Sequence, residues 1–449
     1  MNVSLVSPVF KARAVKFFLC IFMATVTPIY AGEYPVSPDW RVKKIIELGD
    51  AFADSTINVS VYRQAAILPI GTDFLTAFYG ASGYVWLRRF NPEGKIVGSI
   101  KVLPRIEDRL LSDGHSVVSI GISGDGFIHL TYGAHATPSF QAKIPILDTR
   151  KTATLRAQLW SDLITYPQYY RIRESLTLFY RVDTSWFRRS WDESKAKWSL
   201  PRIVLDGTGT NSVYMDQLGV RDNHIFMSWV YRMPRKNREK VVNKGIYIAS
   251  SYDAGKSWKD VLGKDLQLPI KMGAASRGIN ISMDARLMNQ NSSWIASNGN
   301  AYLAYQSRDS NGIAQIFLAA MKPGNNKICT TTVSQNKVPY DLFGMGTLLL
   351  PLSRAEVATS ETKIHVIYRK DNQLVLATTD RAAGVCGGKW RYFILPTEPL
   401  LGWEPNFDQD TYRAGRGLLL YVQPARQGKR DTAIKGVPAT ARIYWLTEK

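Results

Sequence analysis

A chain of 449 residues, 45% of them hydrophobic, is long enough to bury a large core. Beyond the N-terminus, no stretch reaches the roughly 20 apolar residues that span a bilayer, which argues against an integral membrane protein. The formal net charge of +20 predicts attraction to polyanions. The basic residues are spread along the chain and form no nucleic-acid-binding motif, so we expect no nucleic acid partner. An acidic polysaccharide is the favoured polyanion, and charge that only aids solubility is the alternative.

The N-terminus has the organisation of a signal peptide. Three basic residues precede an apolar run from Phe17 to Thr27, which is short for a membrane span. We expect cleavage after Ala31, which defines a signal peptide at 1–31 and a single mature domain at 32–449. The loss of three basic residues lowers the charge from +20 to +17. We therefore expect a secreted or periplasmic protein that is not inserted in the membrane; a retained anchor is the alternative.

One pattern recurs seven times in the rest of the chain: a polar turn, then an alternating strand that ends in an aromatic residue. Successive final aromatics are 48 to 76 residues apart, close to the roughly 50 residues of a four-stranded propeller blade. We predict an all-β fold, a single seven-bladed β-propeller closed by sequence-distant strands, in which these are the second strands of the blades. The final aromatics are Tyr79, Tyr132, Tyr180, Trp229, Tyr305, Tyr368 and Tyr421.

The ends of these strands predict a functional face. The first two strands of a blade form a hairpin, so the start of the first strand and the end of the second lie on the same side. Three consecutive blades carry His, Tyr or Arg at these positions, and we expect them to line a ligand site. His129 and His365 lie inside the recurring strands, and we expect them to pack in the core. The predicted site residues are His115, His135, Tyr166, Arg181, Tyr214 and Arg232.

The octapeptide SYDAGKSW, from Ser251 to Trp258, fits the pattern S-x-D-x-G-x-[ST]-W at every defined position. This pattern is the Asp-box of sialidase-like β-propellers. Asp253 is expected to accept backbone N–H bonds in a tight turn, and Gly255 to adopt a positive φ. Trp258 is expected to be buried where the chain re-enters a strand. The motif is structural, so it indicates architecture and leaves the chemistry open.

Two cysteines remain after the predicted signal peptide. Cys329 and Cys386 lie in consecutive repeats, and an exported protein can pair them. The sequence leaves this pairing open. No Cys/His cluster has the spacing of a zinc site.

The stretch from Asp113 to Trp258 resembles the BNR-repeat proteins that include the seven-bladed ulvan lyases. The segments DGHS, GDGFIHLTYGAH, ITYPQYY and LFYR carry the resemblance, together with the Asp-box. It implies a catalytic set of His115, Tyr166 and Arg181. It also implies an accompanying His at 135.

The resemblance extends more weakly to Tyr214, and with Arg232 we place this residue and His135 among the substrate-binding groups. The family often has H-N-x-P where this chain has H-A-T-P at 135–138, and the stretch from His135 to Tyr166 is short. These departures concern substrate contacts. A zinc site occurs in some relatives, and its ligands cannot be located in this chain.

The residue types suit a lyase that cleaves a uronate-containing polymer by β-elimination. Arg181 can bind the uronate carboxylate bidentately and stabilise the enolate-like intermediate. His115 and Tyr166 can share removal of the C5 proton and protonation of the leaving O4; which is the base stays open. This chemistry requires no metal or organic cofactor, although a structural metal is compatible with it.

Two other functions remain open. A sialidase-like glycoside hydrolase would need an arginine triad, a Tyr–Glu pair and an Asp acid, and the chain has no convincing R-I-P segment near its start. A non-catalytic glycan-binding propeller needs only a basic face and aromatic residues. In each case we expect a monomer. The sequence does not identify the exact polymer or the uronate epimer. It also leaves open whether cleavage is endo or exo.

Overall fold

The structure is a computed structural model that describes residues 39–207, 211–233, 242–322, 327–340, 346–347, 349–383, 385–428 and 431–449. The predicted signal peptide at 1–31 lies outside the described residues. The part of the chain from Pro35 to Lys449 forms one compact unit. No helix within the described ranges is long and apolar enough to cross a membrane.

The regular secondary structure of the described residues is almost entirely β-strand, with two α-helices of four and five residues and three short 3-10 helices. The strands of the first half are β1 Trp40–Ala51, β2 Ile67–Ile70, β3 Asp73–Tyr79, β4 Val85–Phe90, β5 Ile96–Leu103, β6 Ser119–Ile122, β7 Phe127–Tyr132, β8 His135–Pro145, β9 Thr152–Arg156, β10 Gln158–Ile172, β11 Ser175–Val182, β12 Ser185–Asp192, β13 Lys197–Trp198, β14 Arg202–Asp206, β15 Ser212–Met215 and β16 Gly219–Arg221. Those of the second half are β17 His224–Met233, β18 Val242–Ser251, β19 Trp258–Asp260, β20 Asp265–Leu266, β21 Ile270–Lys271, β22 Arg277–Ile279, β23 Ser292–Ile295, β24 Ala301–Arg308, β25 Ala314–Met321, β26 Ile328–Thr332, β27 Glu356–Thr359, β28 Lys363–Lys370, β29 Gln373–Asp380, β30 Arg391–Leu395, β31 Leu418–Val422 and β32 Ala439–Glu448. The helices are α1 Asp108–Leu111 and α2 Gln409–Arg413.

The described strands pair into six sheets that are mostly antiparallel meanders, with two parallel pairings, of β5 with β9 and of β14 with β21. Six of the seven recurring strands, β3, β7, β11, β17, β24 and β28, pair with the strand before and the strand after, as expected of second strands. The seventh, β31, pairs with β32, and on its other side the described residues show only an isolated bridge between Phe407 and Leu420. The pairing of β8 with β10 joins the second and third meanders in one sheet. The predicted all-β class is confirmed.

The two ends of the described chain pair with each other. β1 runs antiparallel to β32, with Trp40 opposite Glu448 and Ala51 opposite Ala439. The first strand of the described residues therefore completes the last meander, and this pairing is sequence-distant as the repeats predicted. Pairing of this kind leaves fewer free strand edges.

The recurring aromatics form the core of the meanders, as predicted. All seven are at most 5% exposed, and their burial contributes much of the hydrophobic stabilisation. The two histidines inside these strands are also buried, at 3% exposure for His129 and 0% for His365. Burial lowers the pKa of His129 to about 4, so this side chain packs as a neutral ring.

The Asp-box forms the turn between β18 and β19. Asp253 Oδ1 accepts hydrogen bonds from the backbone N–H groups of Lys256 at 3.0 Å and Ser257 at 2.9 Å. Gly255 has φ +81°, and Trp258 is 1% exposed at the start of β19. The roles predicted for this motif are confirmed.

A disulfide links Cys329 in β26 to Cys386, which follows β29. Their Cα atoms are 6.0 Å apart, within the range of protein disulfides. The pairing that the sequence left open is therefore present.

Candidate active site

The strand register brings His135, Tyr166 and Arg181 together. Thr165 in β10 lies opposite His135 of β8 on one side and opposite Arg181 of β11 on the other. The next residue, Tyr166, therefore lies between the ends of two neighbouring strands. Arg181 Cζ is 4.9 Å from the centroid of the Tyr166 ring, a distance at which the cation interacts with the π face.

Tyr166 has a backbone conformation that disfavours a bulky side chain. Its φ is +54°, and the register between Thr165 and Gln168 is broken there. A non-glycine residue in this region costs about 1 to 3 kcal/mol, and such residues cluster at functional sites. The ring is 2% exposed and stacks on Trp186 at 6.2 Å between centroids. The local structure thus holds the Tyr166 ring in one place at a cost in backbone energy.

One carboxylate holds both predicted site histidines. Asp113 Oδ1 is 2.7 Å from His115 Nδ1, and Asp113 Oδ2 contacts His135 Nδ1. The two imidazole rings stack with centroids 4.5 Å apart. Gly114, between Asp113 and His115, is required because a Cβ there would lie 2.3 Å from Thr56 Oγ1.

The charges around His115 favour its protonated form. Burial tends to lower the pKa of His115, but negative charge on the phenol oxygens of Tyr166 and Tyr62 and hydrogen bonds to carboxylates hold it well above its usual range. The carboxylates are those of Asp113 and Asp431, and Asp431 Oδ1 is 3.4 Å from His115 Nδ1. Burial likewise tends to raise the pKa of Asp113, yet the two histidines hold it well below its usual range. The imidazolium and the carboxylate therefore stabilise each other at neutral pH.

Arg181, Tyr214 and Arg232 extend the cluster on its other side. Arg181 Cζ is 4.6 Å from the Tyr214 ring centroid, Arg232 Cζ is 4.3 Å from it, and Arg232 Nη1 donates a 2.9 Å hydrogen bond to the Tyr214 hydroxyl. Burial tends to raise the pKa of Tyr214, but the charges of Arg232 and Arg181 outweigh it and bring this pKa to about 8. Nε and Nη1 of Arg181 are buried without a hydrogen-bond partner among the described residues. The Arg181 guanidinium therefore has hydrogen-bond donors that other described residues do not use.

All six predicted site residues lie in this one cluster. His115 contacts His135 and Tyr166, with ring centroids 4.5 Å and 5.7 Å apart, and the contacts continue through Arg181 and Tyr214 to the last member. The structure thus brings the six predicted side chains together. The chemical roles assigned to these side chains stay predictions.

Sequence reasoning missed four further members of the cluster. Tyr62 stacks on His115 at 5.3 Å between centroids, and Arg354 lies over Tyr62 at 5.9 Å while pairing with Glu404 at 2.8 Å. Tyr62 precedes β2 and Arg354 precedes β27, just as His115 precedes β6. A search of the residues before each first strand could therefore have identified both. Asp431 lies between β31 and β32, outside the repeat pattern, and carried no sequence signal.

The Asp113–His115–His135 group is the one set of His, Cys, Asp or Glu residues in the described ranges whose ligand atoms, within 4.8 Å of one another, could hold a metal. The arrangement fits a metal poorly. An imidazole nitrogen offers its lone pair in the ring plane, and the two rings are stacked with an interplanar angle of 17°. An ion cannot lie in both ring planes, and both Nδ1 atoms already contact Asp113. The zinc of some relatives is therefore not assigned to these residues.

Comparisons with known proteins agree with this architecture. A family model described as BNR repeat-containing family member matches residues 74–333. An ulvan lyase from a new family of polysaccharide lyases aligns at 14% identity and a TM-score of 0.63, covering 88% of this chain and 96% of its own. The same lyase has been solved bound to -[GlcA(1-4)Rha3S]- with the same scores. An α-L-arabinanase from Penicillium chrysogenum aligns at 12% identity and a TM-score of 0.43, over 73% of this chain and 92% of its own. No curated protein sequence matches the chain significantly.

Proposed function

Because the chain belongs to the BNR repeat-containing family, we propose that it is an exported polysaccharide lyase that cleaves a sulfated, uronate-containing polymer such as ulvan by β-elimination. The observation that carries this proposal is the cluster in which Arg181, with unpaired nitrogens, lies between two tyrosines beside a protonated His115. The lyase that shares the fold was solved with a sulfated uronate oligosaccharide, which supports the substrate class.

In this proposal Arg181 binds the carboxylate of the uronate. Removal of the C5 proton places negative charge on that carboxylate, and a guanidinium already in position stabilises the charge without reorganisation. The bidentate geometry of guanidinium and carboxylate also fixes the sugar ring. Arg232 and Tyr214 hold Arg181 in place, and His135 contacts the substrate.

Tyr166 takes the C5 proton, and His115 gives a proton to O4. The electron pair of the C5–H bond forms the C4–C5 double bond as the C4–O4 bond breaks, leaving an unsaturated uronate and a free hydroxyl. His115 suits the donor role because its raised pKa keeps it protonated at neutral pH. The bonding of Nδ1 to Asp113 leaves the other ring nitrogen for this proton. No metal or organic cofactor is needed, so dialysis against a chelator should leave turnover intact.

Tyr214 is the second candidate for the base. Its pKa of about 8 gives Tyr214 some phenolate near neutral pH, which is the form that can accept the C5 proton, whereas Tyr166 has the strained backbone and the central position. Tyr166→Phe and Tyr214→Phe separate the two, because the true base should lose far more kcat than the other residue.

We also propose that the seven meanders form one closed seven-bladed propeller as a single catalytic domain at 32–449, and that it acts as a secreted or periplasmic monomer. The pairing of β1 with β32 supports closure. The disulfide between Cys329 and Cys386 supports export to an oxidising compartment. N-terminal sequencing of the exported protein should begin at Gly32.

The proposal is tested by incubating the purified protein with sulfated uronate polymers, arabinan and sialosides. Elimination produces a conjugated, ultraviolet-absorbing end at each cleavage, whereas hydrolysis produces reducing ends without that absorbance. New reducing ends without the chromophore would favour the sialidase-like hydrolase instead. Tight binding without cleavage of any polymer would favour a glycan-binding protein.

A further inference from the structure

A separate cavity of about 640 Å³ lies at the far ends of the inner strands. The candidate active site is at the start of these strands, whereas the cavity is lined by residues at the ends of β2, β6, β10 and β16 and in α2. From Tyr166 in the cluster to Arg173 at the cavity, seven residues of extended chain span about 20 Å. The cavity volume suits a ligand of one or two sugar rings.

Buried polar side chains separate the cavity from the cluster. Gln217 Nε2 donates to Glu356 Oε1 at 3.1 Å and also donates to the Val61 carbonyl. Glu356 is 2% exposed, and burial raises its pKa well above the usual range. The inner end of the cavity is therefore closed by neutral hydrogen-bonding groups, so a ligand there would not reach the cluster.

Cations outnumber charged acids along the cavity. Four arginines line it, and two of them, Arg171 and Arg221, make no ion pair with other described residues. Arg413 lies 3.9 Å from Asp410, which is long for an ion pair, and burial with the charge of Arg221 lowers the pKa of Arg413 to about 10. The remaining lining arginine is Arg173, whose Nε contacts Asn223 Oδ1.

Two acidic side chains of the cavity offset little of the positive charge of these arginines. Burial and the charge of Asp410 raise the pKa of Asp408 to about 7, and Glu356 is neutral. The other two acids of the lining are Asp222 and Asp410. Within the described residues, no set of three of these acids has ligand atoms close enough together to hold a metal ion. The cavity therefore favours an anion over a cation.

We propose that this cavity is a second binding site, distinct from the candidate active site, for a small saccharide that carries a carboxylate or sulfate. Arg171 and Arg221 bind the anionic group, and apolar walls that include Leu68, Val220 and Phe407 contact the sugar ring. The site stands on the cavity and its unpaired cations, so it does not depend on β-elimination at the cluster.

Calorimetric titration of the full mature protein tests the proposal with three probes: glucuronate, inorganic sulfate and glucose. Glucuronate should bind, glucose should not, and sulfate should bind more weakly because it lacks the ring. Equal binding of sulfate and glucuronate would overturn the assignment to a saccharide. Absence of any binding would overturn the site itself.

Matched variants locate the binding. Arg171→Gln and Arg221→Gln should each weaken glucuronate binding about tenfold, since a charge-assisted hydrogen bond lost is worth about 1.4 kcal/mol or more. Arg41→Gln, an exposed cation in β1, removes the same charge and should change nothing. Arg181→Gln should retain cavity binding while losing turnover on polymer. Binding that is lost in Arg181→Gln and kept in the two cavity variants would place the anion at the cluster and refute the second site. Urea unfolding of each variant checks that the fold is intact.

Discussion

The candidate active site and the cavity lie at opposite ends of the same inner strands, yet their charged side chains differ in whether they have partners within the protein. In the cluster, Asp113 contacts two histidines and Arg181 lies between two aromatic rings, so most charged groups already have a neighbour in the protein. In the cavity, Arg171 and Arg221 border open volume without an ion partner among the described residues. Fixed, mutually supporting charges favour a reaction, whereas unmatched charges beside open space favour binding.

The largest effects should come from removing proton-transfer groups of the cluster. Tyr166→Phe and His115→Asn should each lower kcat by about 10²–10⁴-fold, the usual contribution of a positioned acid or base. Arg221→Gln in the cavity should leave turnover unchanged. Initial rates of unsaturated product formation measure the effect, with urea midpoints as the control for folding. Near-wild-type turnover of both cluster variants would contradict the claim that the cluster is catalytic and the cavity only binds.

Removal of the cation should have the next largest effect. Arg181→Ala should lower kcat/KM by about 10²–10³-fold, as for other preorganised electrostatic contacts. Arg181→Lys should recover only part of this, because an ammonium cannot bind a carboxylate bidentately. Full recovery by Lys would mean that charge alone, without geometry, is what the substrate requires. Arg41→Ala provides the control for a change in net charge.

A smaller effect is expected from salt. With a charge of +17 on the mature chain, KM for a sulfated polymer should rise steeply with ionic strength, because salt screens exposed charges over about 10 Å at 0.1 M. Glucuronate binding in the cavity should weaken less, since one small anion pairs with far fewer charges than a sulfated polymer does. A KM that does not change between low and moderate salt would contradict the polyanion interpretation.

The smallest effect concerns a single proton. The pKa of Tyr214, at about 8 against an ordinary 10, is depressed, so its phenolate stabilises the folded protein above pH 10 and this gain is lost as the pH falls through 8. Tyrosinate absorbance should show one ionisation near pH 8 that disappears in Tyr214→Phe and moves upward in Arg232→Gln. An unchanged titration in both variants would show that the two arginines do not act on this hydroxyl.

The repeats made the strands and the site face predictable, because a hairpin places the residue before the first strand beside the residue after the second. That rule found His135, Tyr166 and Arg181, whose convergence on Thr165 is a matter of strand register. The same rule applies to Tyr62, which precedes a first strand. This residue was missed because the sequence around it shows no regular strand pattern.

The position of Asp431 and the presence of the cavity could not be predicted from the sequence. Asp431 reaches His115 from an irregular segment, and no periodicity reports where such a segment folds. The cavity depends on which ends of the inner strands stay unfilled, and this is set by side-chain packing across sheets distant in sequence. The left-handed φ of Tyr166 was equally hidden, since local propensity disfavours it.

The central claim is that the cluster removes a proton beside a carboxylate, and carboxyl reduction of the polymer tests it most directly. The same sulfated uronate polymer is offered in its native form and after its carboxylates have been reduced to alcohols, with all glycosidic linkages kept. The account predicts unsaturated product from the native polymer and no cleavage of the reduced one, because Arg181 then has no carboxylate to bind and the C5 proton is no longer acidified. Cleavage of the reduced polymer, with new reducing ends and no conjugated product, would contradict the account.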